Sequence, residues 1–236
     1  MSLFVIADLH LSLSSNKPMD VFSGWDNYVD RLFVNWQSRV RPEDTVVVPG
    51  DVSWAMSLEE ALSDFRFIDS LNGKKIILKG NHDYWWSTKT KAEKFFAENG
   101  ISTISVLHNN FYRYENVGIC GTRGWINDGS EPRDKKLILR EAQRLERSVA
   151  GAVEAGLEPA AFIHYPPVYG SEVNEEIMEV LKKYGVKHCF YGHLHGYAHR
   201  NAVIGQREGI EFRLISGDFL HFSPYEITNI VNSAEK

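Results

Sequence analysis

The sequence predicts an α/β fold in which short, largely parallel strands alternate with amphipathic helices. Five short apolar runs, most of them rich in Val, Ile or Phe, have the length and composition of buried strands. Longer segments between them place apolar residues three and four positions apart, which is the spacing of one helix face. Polar residues follow each apolar run at once, at the strand end where open α/β sheets bind ligands.

The predicted strands cover residues 3–7, 45–48, 75–78, 160–163 and 188–191. If these strands lie parallel in one sheet, their C-terminal ends share an edge. The polar clusters behind them are D-L-H at 8–10, G-D at 50–51, G-N-H-D at 80–83, His164, and G-H-L-H at 192–195. Distant parts of the chain would therefore meet at one place.

Five helices are expected between the strands. The first, at 27–40, carries an apolar face that includes Leu32 and Trp36, and the second begins with the capping box S-L-E-E at 57–60. A third runs from 89 to 98 and ends at an Asn-Gly pair, which commonly stops a helix. The fourth, from about 131 to 155, has Pro132 in its first turn, and the fifth covers 172–184.

Two regions interrupt the alternation of strand and helix. Residues 101–121 predict short strands with turns at 109–110 and 115–116, and residues 197–231 predict a hairpin centred on 207–209. These regions would add antiparallel strands or form a second sheet. Neither an internal repeat nor a low-complexity segment is evident, so a solenoid is not expected.

Length and composition predict one soluble domain. The chain has 236 residues, 43% of them hydrophobic, and no long Gly, Ser or Pro linker, so we expect a single domain over residues 1–236. No apolar stretch near the start is long enough for a membrane segment. Cys120 and Cys189 lie in or beside apolar runs and are expected to be buried free thiols, which suits a cytoplasmic protein. A net charge of −5 argues against stable binding of nucleic acid through a basic surface.

The polar clusters contain the donors that a pair of divalent metal ions requires. Two adjacent ions need a bridging anionic ligand between them and nitrogen or oxygen donors on their outer sides. Asp51 could bridge, because its two carboxylate oxygens can each reach one ion, and Asp8 and His10 could chelate one ion from a single loop. The mixed nitrogen and oxygen donors, without thiolates, suit Mn, Fe, Zn or Ni.

The ordered series D-x-H, G-D, G-N-H-D, H and G-H-x-H, which spans residues 8–195, resembles the calcineurin-like metallophosphoesterases. The resemblance implies a four-layer α/β/β/α sandwich of two mixed sheets flanked by helices. It also implies two divalent ions, with Mn expected first and Fe, Zn, Ni or Mg as alternatives. One ion would be held by Asp8, His10, Asp51 and His195, and the other by Asp51, Asn81, His164 and His193.

The same resemblance implies roles for the two residues that follow Asn81. His82 would stabilise the transferring phosphoryl group or protonate the leaving oxygen, with Asp83 as its catalytic partner. An imidazole beside a carboxylate is held in one tautomer and stays cationic to higher pH. The nucleophile would be a hydroxide that bridges the two ions and attacks phosphorus directly. His199 and His221 match no cluster but could orient metal-bound imidazoles.

Aromatic residues near the clusters suggest the character of the substrate. Trp54, Trp85, Trp86 and Trp125 follow a cluster or Arg123 closely, and an aromatic rim could stack on a nucleobase or sugar. Simple packing of the loops is the alternative explanation. Arg123 could offer two donors to a phosphate, or could form an ordinary salt bridge. We therefore expect Arg123, Trp54 and Trp85 to contact a small phosphate ester that resembles a nucleotide.

The expected function is metal-dependent hydrolysis of phosphoric esters, with phosphodiesters as the preferred substrates. A phosphomonoesterase or a protein phosphatase is the alternative among enzymes. A non-catalytic metal-binding scaffold of the same fold is the alternative from another class, but such scaffolds lose ligands or the histidine after the Asn. This chain retains Asn81, His82 and every other ligand of the pattern.

Overall fold

Two mixed β-sheets lie face to face, and helices cover their outer faces. The computed structural model of the chain describes residues 1–125 and 131–232. The helices are α1 (Tyr28–Arg39), α2 (Leu62–Ser70), α3 (Lys89–Glu98), α4 (Pro132–Glu154), α5 (Glu175–Lys183) and α6 (Thr228–Val231). A short 3₁₀ helix covers Gly196–Asn201.

The strands fall into two large sheets and one small pair. They are β1 (Leu3–Val5), β2 (Thr45–Pro49), β3 (Lys74–Leu78), β4 (Ile104–Val106), β5 (Phe111–Tyr114), β6 (Val117–Thr122), β7 (Glu158–Ile163), β8 (Val168–Tyr169), β9 (Glu172–Val173), β10 (His188–Tyr191), β11 (Gly205–Arg207), β12 (Ile210–Leu214) and β13 (Tyr225–Glu226). The first sheet has the order β13-β1-β2-β3-β4 and the second has the order β11-β12-β10-β7-β6-β5. Strands β8 and β9 pair only with each other.

Within each large sheet the central strands are parallel. Strands β1 to β4 run parallel, and β13 is antiparallel at the edge of the first sheet. Strands β12, β10, β7 and β6 run parallel, with β11 and β5 antiparallel at the two edges of the second sheet. Residues 101–121 and 197–231, predicted to add antiparallel strands or to form a second sheet, supply the antiparallel pairs β5–β6 and β11–β12 of the second sheet, and β4 joins the first sheet in parallel.

The five predicted strands do not share one sheet but are divided between the two mixed sheets that the resemblance implies. Strands β1, β2 and β3 belong to the first sheet, whereas β7 and β10 belong to the second. The two sheets are joined near their C-terminal ends, where the Ala7 N–H donates to the carbonyl of Ile215 at 2.8 Å. The C-terminal ends of these strands still come together, but they are contributed by two sheets and not by one.

Alternation along the strands separates three hydrophobic layers. In the first sheet, Phe4 and Val46 face the layer that α1 to α3 cover, and Leu3 and Val47 face the layer between the sheets. A third layer lies between the second sheet and helices α4 and α5. Side chains in a strand point alternately to the two faces, so this pattern places each sheet between two apolar layers. The four-layer sandwich is thereby confirmed.

The predicted helices are present, with two later beginnings than expected. Residues 57–60 do form part of the capping box, since the Glu60 N–H donates to the Ser57 hydroxyl at 3.2 Å. These residues form a turn, and α2 begins only at Leu62. Helix α5 begins at Glu175 because Asn174 caps it by accepting from the Ile177 N–H at 3.2 Å.

The state of the cysteines and the character of the helices add two observations. Cys120 and Cys189 are buried free thiols, as predicted. Among the described helices, none combines the length and the apolar character that crossing a membrane requires.

Replacement of the buried Lys75 tests how α2 is held against β3. The Lys75 ammonium donates to the carbonyls of Leu71 at 2.6 Å and Gly73 at 2.9 Å, just beyond the end of α2. Lys75→Met would leave these buried carbonyls without a donor, and we expect the free energy of unfolding to fall by roughly 2–4 kcal/mol. Urea denaturation measures the change. Lys74→Met, at the exposed neighbouring position, is the control and should stay within about 0.5 kcal/mol of the wild type.

Candidate dinuclear metal site

The polar clusters behind five strands meet at one edge of the sandwich. In the first sheet they follow β1, β2 and β3, and in the second sheet they follow β7 and β10. The structure brings together all the candidate ligands of the sequence analysis, namely Asp8, His10, Asp51, Asn81, His164, His193 and His195. Their proximity results from parallel strands, whose C-terminal ends carry the loops.

Several of these residues have an unusual backbone conformation. The φ angle is 59° at Asp8, 45° at His10, 50° at Asp51 and 72° at His193. Left-handed conformations at non-glycine residues cost about 1–3 kcal/mol each and persist only where the surroundings impose them, commonly at functional sites. The chain therefore turns sharply as it leaves β1, β2 and β10.

Glycines next to the ligands permit the close approach of the loops. A Cβ atom at Gly50, where φ is 90°, would lie 2.7 Å from His164 Nδ1 and 2.8 Å from the Gly80 backbone. A Cβ atom at Gly80 would overlap the side chain and backbone of Asp51. The G-D and G-N-H-D motifs thus need glycine because the loops behind β2 and β3 touch each other and His164.

One group of donors comes from the loops after β1 and β10. Ligating atoms of Asp8, His10 and His195 all lie within 4.8 Å of one another. His10 Nε2 and His195 Nε2 are 3.2 Å apart. These three side chains can therefore face a single ion.

A second group comes from the loops after β2, β3, β7 and β10. Ligating atoms of Asp51, His164 and His193 also lie within 4.8 Å of one another. Asn81 belongs with them, because its Oδ1 lies 2.7 Å from His164 Nε2 and 3.0 Å from His193 Nδ1. Taken together, the two groups of donors come from the loops after three strands of the first sheet and two strands of the second.

Asp51 lies between the two groups. Its Oδ2 is 3.7 Å from His10 Nε2 in the first group and 3.4 Å from His164 Nε2 in the second. Its Oδ1 accepts a hydrogen bond from the His82 N–H at 2.8 Å, which fixes the orientation of the carboxylate. Asp51 Oδ2 therefore faces histidines of both groups, and Asp8 Oδ1 of the first group also lies 3.5 Å from His164 Nδ1 of the second.

The chemistry of the buried donors fits two divalent cations. Asp8 Oδ1 is buried without a hydrogen-bond partner among the described residues, and burial raises the pKa of Asp8 to about 6. Burial lowers the pKa of His10 and of His193 to about 3, which leaves both imidazoles neutral as metal ligands must be. Burial opposes the charge on His164, but the adjacent Asp51 carboxylate raises its pKa to about 9. Cations at these positions would compensate the buried carboxylates and the converging lone pairs.

Asp218 orients a candidate ligand and was missed in the sequence analysis. Its Oδ1 lies 2.9 Å from His195 Nδ1, and its Oδ2 accepts from the Gly196 N–H at 3.0 Å. Such a partner fixes the tautomer and direction of an imidazole that binds metal through its other nitrogen. The sequence does carry a signal, because Gly217-Asp218 follows β12 as Gly50-Asp51 follows β2.

His199 and His221 are not part of either group of candidate ligands. His199 Nε2 lies 3.0 Å from the Leu194 carbonyl and 3.4 Å from Asp218, so it supports the loop that carries His195. The His221 backbone carbonyl accepts from Asn35, and its side chain is exposed. The expectation of an imidazole-orienting role thus fails for His221, and Asp218 occupies that position.

Asp83, expected to act with His82 in catalysis, has a fully buried carboxylate that accepts four hydrogen bonds. Oδ1 accepts from the N–H groups of Val52 at 2.9 Å and Ser53 at 3.1 Å and from Trp85 Nε1 at 2.9 Å. Oδ2 accepts from the Gly80 N–H at 2.7 Å. Asp83 therefore ties the loop after β2 to the loop after β3 and holds Asp51 beside Asn81.

His82 has surroundings that differ from those expected. No described hydrogen bond joins its ring to Asp83; its Nδ1 lies 3.3 Å from the Tyr84 hydroxyl. Burial lowers the pKa of His82, which favours the neutral imidazole, whereas an adjacent carboxylate would favour the cation. The imidazole packs against Trp54, with ring centroids 4.3 Å apart, and against His10 at 5.7 Å.

An apolar recess adjoins the ligands on the His10 side. This recess has a volume of about 460 Å³. Four candidate ligands and His82 line it together with apolar and aromatic side chains, namely His10, Asp51, His193 and His195 with Met19, Phe22, Trp25, Trp54 and Tyr197. Trp54 stacks on His10 with centroids 5.0 Å apart, and Trp25 meets His10 and His195 edge-on. Phe22 and Tyr197 are exposed at its mouth. The placement of Trp54 is thus compatible with the predicted aromatic rim.

A second recess adjoins the ligands on the His193 side. This tyrosine recess, of about 270 Å³, is lined by Trp125, Tyr165, Pro166, Tyr169, Glu172, His193 and Leu194. Tyr165 packs on His193 with ring centroids 4.1 Å apart. Two openings with aromatic linings therefore flank one cluster of ligands.

Two other tryptophans do not contact these recesses. Trp85, expected to contact the substrate, is only 3% exposed and packs edge-on against Phe65. It follows a loop motif because its Nε1 holds Asp83. Trp86 lies instead at a separate cavity beside His108. Arg123 lines that same separate cavity, so the structure does not place it against the ligands.

Comparisons with known proteins agree with the fold. A family model described as calcineurin-like phosphoesterase matches residues 1–197. Among solved structures, a protein of unknown function from Aquifex aeolicus, AQ665, is similar, with 16% identity, 97% of each chain covered and a TM-score of 0.55. The phosphopantetheinyl hydrolase of Mycobacterium tuberculosis has 15% identity over 91% of this chain and 88% of that one, with a TM-score of 0.51. TT1561 of Thermus thermophilus has 12% identity over 89% and 86%, with a TM-score of 0.54. No curated protein gives a significant match.

An amide at position 83 tests whether Asp83 is structural. Asp83→Asn would turn an N–H donor toward one of the N–H groups that the carboxylate now accepts, and we expect the free energy of unfolding to fall by roughly 2–4 kcal/mol. Chemical denaturation measures this change. The matched control is His82→Gln, whose half-buried ring makes one long hydrogen bond and whose loss should cost less than about 1 kcal/mol. A stable Asp83→Asn protein would mean that Asp83 does not hold the two loops.

Proposed function

Since this chain belongs to the calcineurin-like phosphoesterase family, we propose that it is a metal-dependent phosphoric ester hydrolase that prefers phosphodiesters. The family match spans more than four-fifths of the sequence and includes every cluster of candidate ligands. The preference for diesters is the specific part of the proposal. One observation carries it: two separate recesses open beside a single cluster of ligands.

The proposed ligand sets follow the two groups of donors. Asp8, His10, Asp51 and His195 would hold one ion, and Asp51, Asn81, His164 and His193 would hold the other. When bound, two such ions neutralise phosphoryl oxygens and activate a water for direct attack on phosphorus. The donors are nitrogen and oxygen only, which suits Mn²⁺ and is also compatible with Fe, Zn, Ni or Mg.

His82 is proposed to contact the reacting phosphate. The ring borders the apolar recess beside the ligands and is only half-buried, so a substrate can reach it. As a neutral imidazole it would donate one N–H to a phosphoryl or leaving-group oxygen. Trp54 packs against one side of the ring and Tyr84 lies near its Nδ1, and both restrict its direction.

The two recesses suit a phosphate with two organic substituents. A phosphodiester carries one group on each side of phosphorus, whereas a monoester carries one. The apolar recess, with Trp54 and Trp25, would take a flat or apolar group, which supports a substrate similar to a nucleotide. The tyrosine recess, with Tyr165 and Trp125, would take the second group.

Hydrolysis of two aryl esters tests the proposal. With Mn²⁺, we expect bis(p-nitrophenyl) phosphate to be cleaved with a kcat/KM at least roughly tenfold above that of p-nitrophenyl phosphate, because a second filled recess contributes about 1–3 kcal/mol. A chelator should abolish both activities until metal is restored. A preference for the monoester would identify a phosphomonoesterase instead.

Two ligand variants complete this experiment. Asp51→Asn should lose both ions, because Asp51 faces both groups, whereas His10→Ala removes a donor from only one group. Metal content after dialysis, measured by atomic emission, distinguishes the two cases. Equal metal content in both variants would contradict the bridging position of Asp51.

Replacement of His82 tests its contact with the reacting group. His82→Ala should keep both metals and lose about 10²–10³ in kcat, the usual effect of removing one donor to the transition state. His82→Gln, which retains an N–H donor, should recover part of that loss. Tyr84→Phe is the control for the neighbouring hydroxyl and should change kcat less than His82→Gln does. Loss of metal from His82→Ala would instead make His82 a ligand.

The leaving group provides a further readout for His82. If the imidazole hydrogen-bonds to the leaving oxygen, alkyl esters should lose more activity than nitrophenyl esters, whose leaving groups need little assistance. A uniform loss across esters would place the donor on a non-bridging phosphoryl oxygen.

A further inference from the structure

A separate basic cavity lies between the loops after β3 and β6 and helix α4. It has a volume of about 260 Å³, and the ionisable side chains that line it are Lys79, His108, Arg123, Arg140, Glu141 and Arg144. None of the candidate metal ligands lines it. The mechanism proposed above does not use these residues.

The charge of this basic cavity is opposite to that of the whole chain. Among the described residues that line it, four are cations and one, Glu141, is an anion, which gives a net charge of +3 if His108 is neutral. His108 is neutral because burial lowers its pKa to about 4. The whole chain has a formal charge of −5. Positive charge is therefore concentrated here and is not a general property of the surface.

Glu141 holds the arginines in place but cannot neutralise them. It is only 1% exposed, and it accepts hydrogen bonds from the Thr122 hydroxyl and from Arg144 Nη1, both at 2.7 Å. The nitrogens of Arg123 and Arg140 are farther from its Oε1, at 3.5 Å and 3.9 Å. One carboxylate thus lies among three guanidinium groups, each with five N–H donors.

Arg123 is rigidly positioned although its donors are not all used. Its guanidinium lies over the Trp125 ring, 4.5 Å from the centroid, and its Nε is buried without a hydrogen-bond partner among the described residues. A network of salt bridges that served stability alone would pair its charges. An oxyanion in the cavity would supply acceptors for the guanidinium N–H groups that Glu141 leaves unpaired.

We propose that the basic cavity is a second binding site, specific for a phosphate-type oxyanion and separate from the metal-dependent site. Arg123, Arg140, Arg144 and Lys79 would surround the anion, and planar guanidinium groups match phosphate oxygens in pairs. A cleft lined by charges of one sign also concentrates ligands of the opposite sign.

The position of the cavity leaves two sources for this anion. The Tyr165 N–H donates to the Arg123 carbonyl at 2.9 Å, next to His164, and Lys79 precedes Asn81 by two residues. The cavity therefore lies on the same edge of the sandwich as the candidate metal site. The oxyanion is either a second phosphate of the substrate or a free anion.

Titration with inorganic phosphate and pyrophosphate tests the proposal. Calorimetry on the chelator-treated full chain excludes binding through metal ions, so a failure of the hydrolysis proposal leaves this result intact. We expect saturable binding that Arg140→Gln weakens about tenfold, the scale for one lost charge-assisted contact. Arg140 is 52% exposed, and its one ion pair among the described residues is the long contact with Glu141 at 3.9 Å, so this variant should fold. Thermal unfolding checks that it does.

A matched variant separates a specific site from general charge. Arg39→Gln removes the same charge at an exposed position at the end of α1, outside the cavity, and should bind both anions as the wild type does. Lys79→Gln provides a second change within the cavity and should also weaken binding. The absence of saturable binding to the wild type, or equal weakening in Arg39→Gln and Arg140→Gln, would overturn the proposal.

Steady-state kinetics of the metal-loaded protein distinguish the two sources. The measured quantity is the ratio of kcat/KM for an ester that carries a second phosphate to kcat/KM for an aryl diester that lacks one. If the substrate carries the anion, this ratio falls about tenfold in Arg140→Gln relative to the wild type. A constant ratio, together with the weakened binding of pyrophosphate, identifies a free anion.

Discussion

The position of the Asp51 carboxylate is the constraint on which the candidate site depends. Its Oδ2 faces His10 on one side and His164 on the other, and these two histidines belong to different sheets. Four features hold Asp51 there. Its backbone is left-handed, its side chain packs against the small Gly80, and its Oδ1 accepts from the His82 N–H. The residues that follow it, Val52 and Ser53, donate hydrogen bonds to Asp83. The loops after β2 and β3 consequently act as one unit.

Bound cations would compensate the buried negative charge around this unit. Asp8 and Asp51 are buried beside His10 and His193, which burial keeps neutral, and beside His164, whose pKa is raised to about 9 by the Asp51 carboxylate against the effect of burial. Asp8 Oδ1 has no hydrogen-bond partner among the described residues and lies 3.5 Å from His164 Nδ1. Buried charge is costly, and the left-handed backbone at several of the ligands adds to that cost. Both costs lower the stability of the fold and are typical of functional sites.

Aromatic side chains pack against the candidate ligands and restrict the orientation of their imidazole rings. Trp54 and Trp25 cover His10, and Tyr165 covers His193, so the imidazoles are held by packing as well as by hydrogen bonds. The same rings form the walls of the apolar recess and the tyrosine recess. One set of side chains thus fixes the ligands and shapes the two openings. The basic cavity differs from both, because guanidinium groups and not rings dominate its lining.

The sequence alone determined the order of strands, helices and polar clusters, and with it the seven candidate ligands. Apolar residues repeat every second position in a strand and every third or fourth position in a helix, and both patterns can be recognised locally. The glycines next to Asp51 and Asn81 likewise indicate that another part of the chain comes close to the backbone there. Only the tertiary structure decided which strand belongs to which of the two sheets. It also turned Asp83 inward, buried Trp85, brought Asp218 to His195 and placed Arg123 beside Glu141. These outcomes depend on which loops become neighbours, such as those that bring Val52 to Asp83, 31 positions apart. Local patterns carry no information on such contacts, since the order of strands in the sheets decides them.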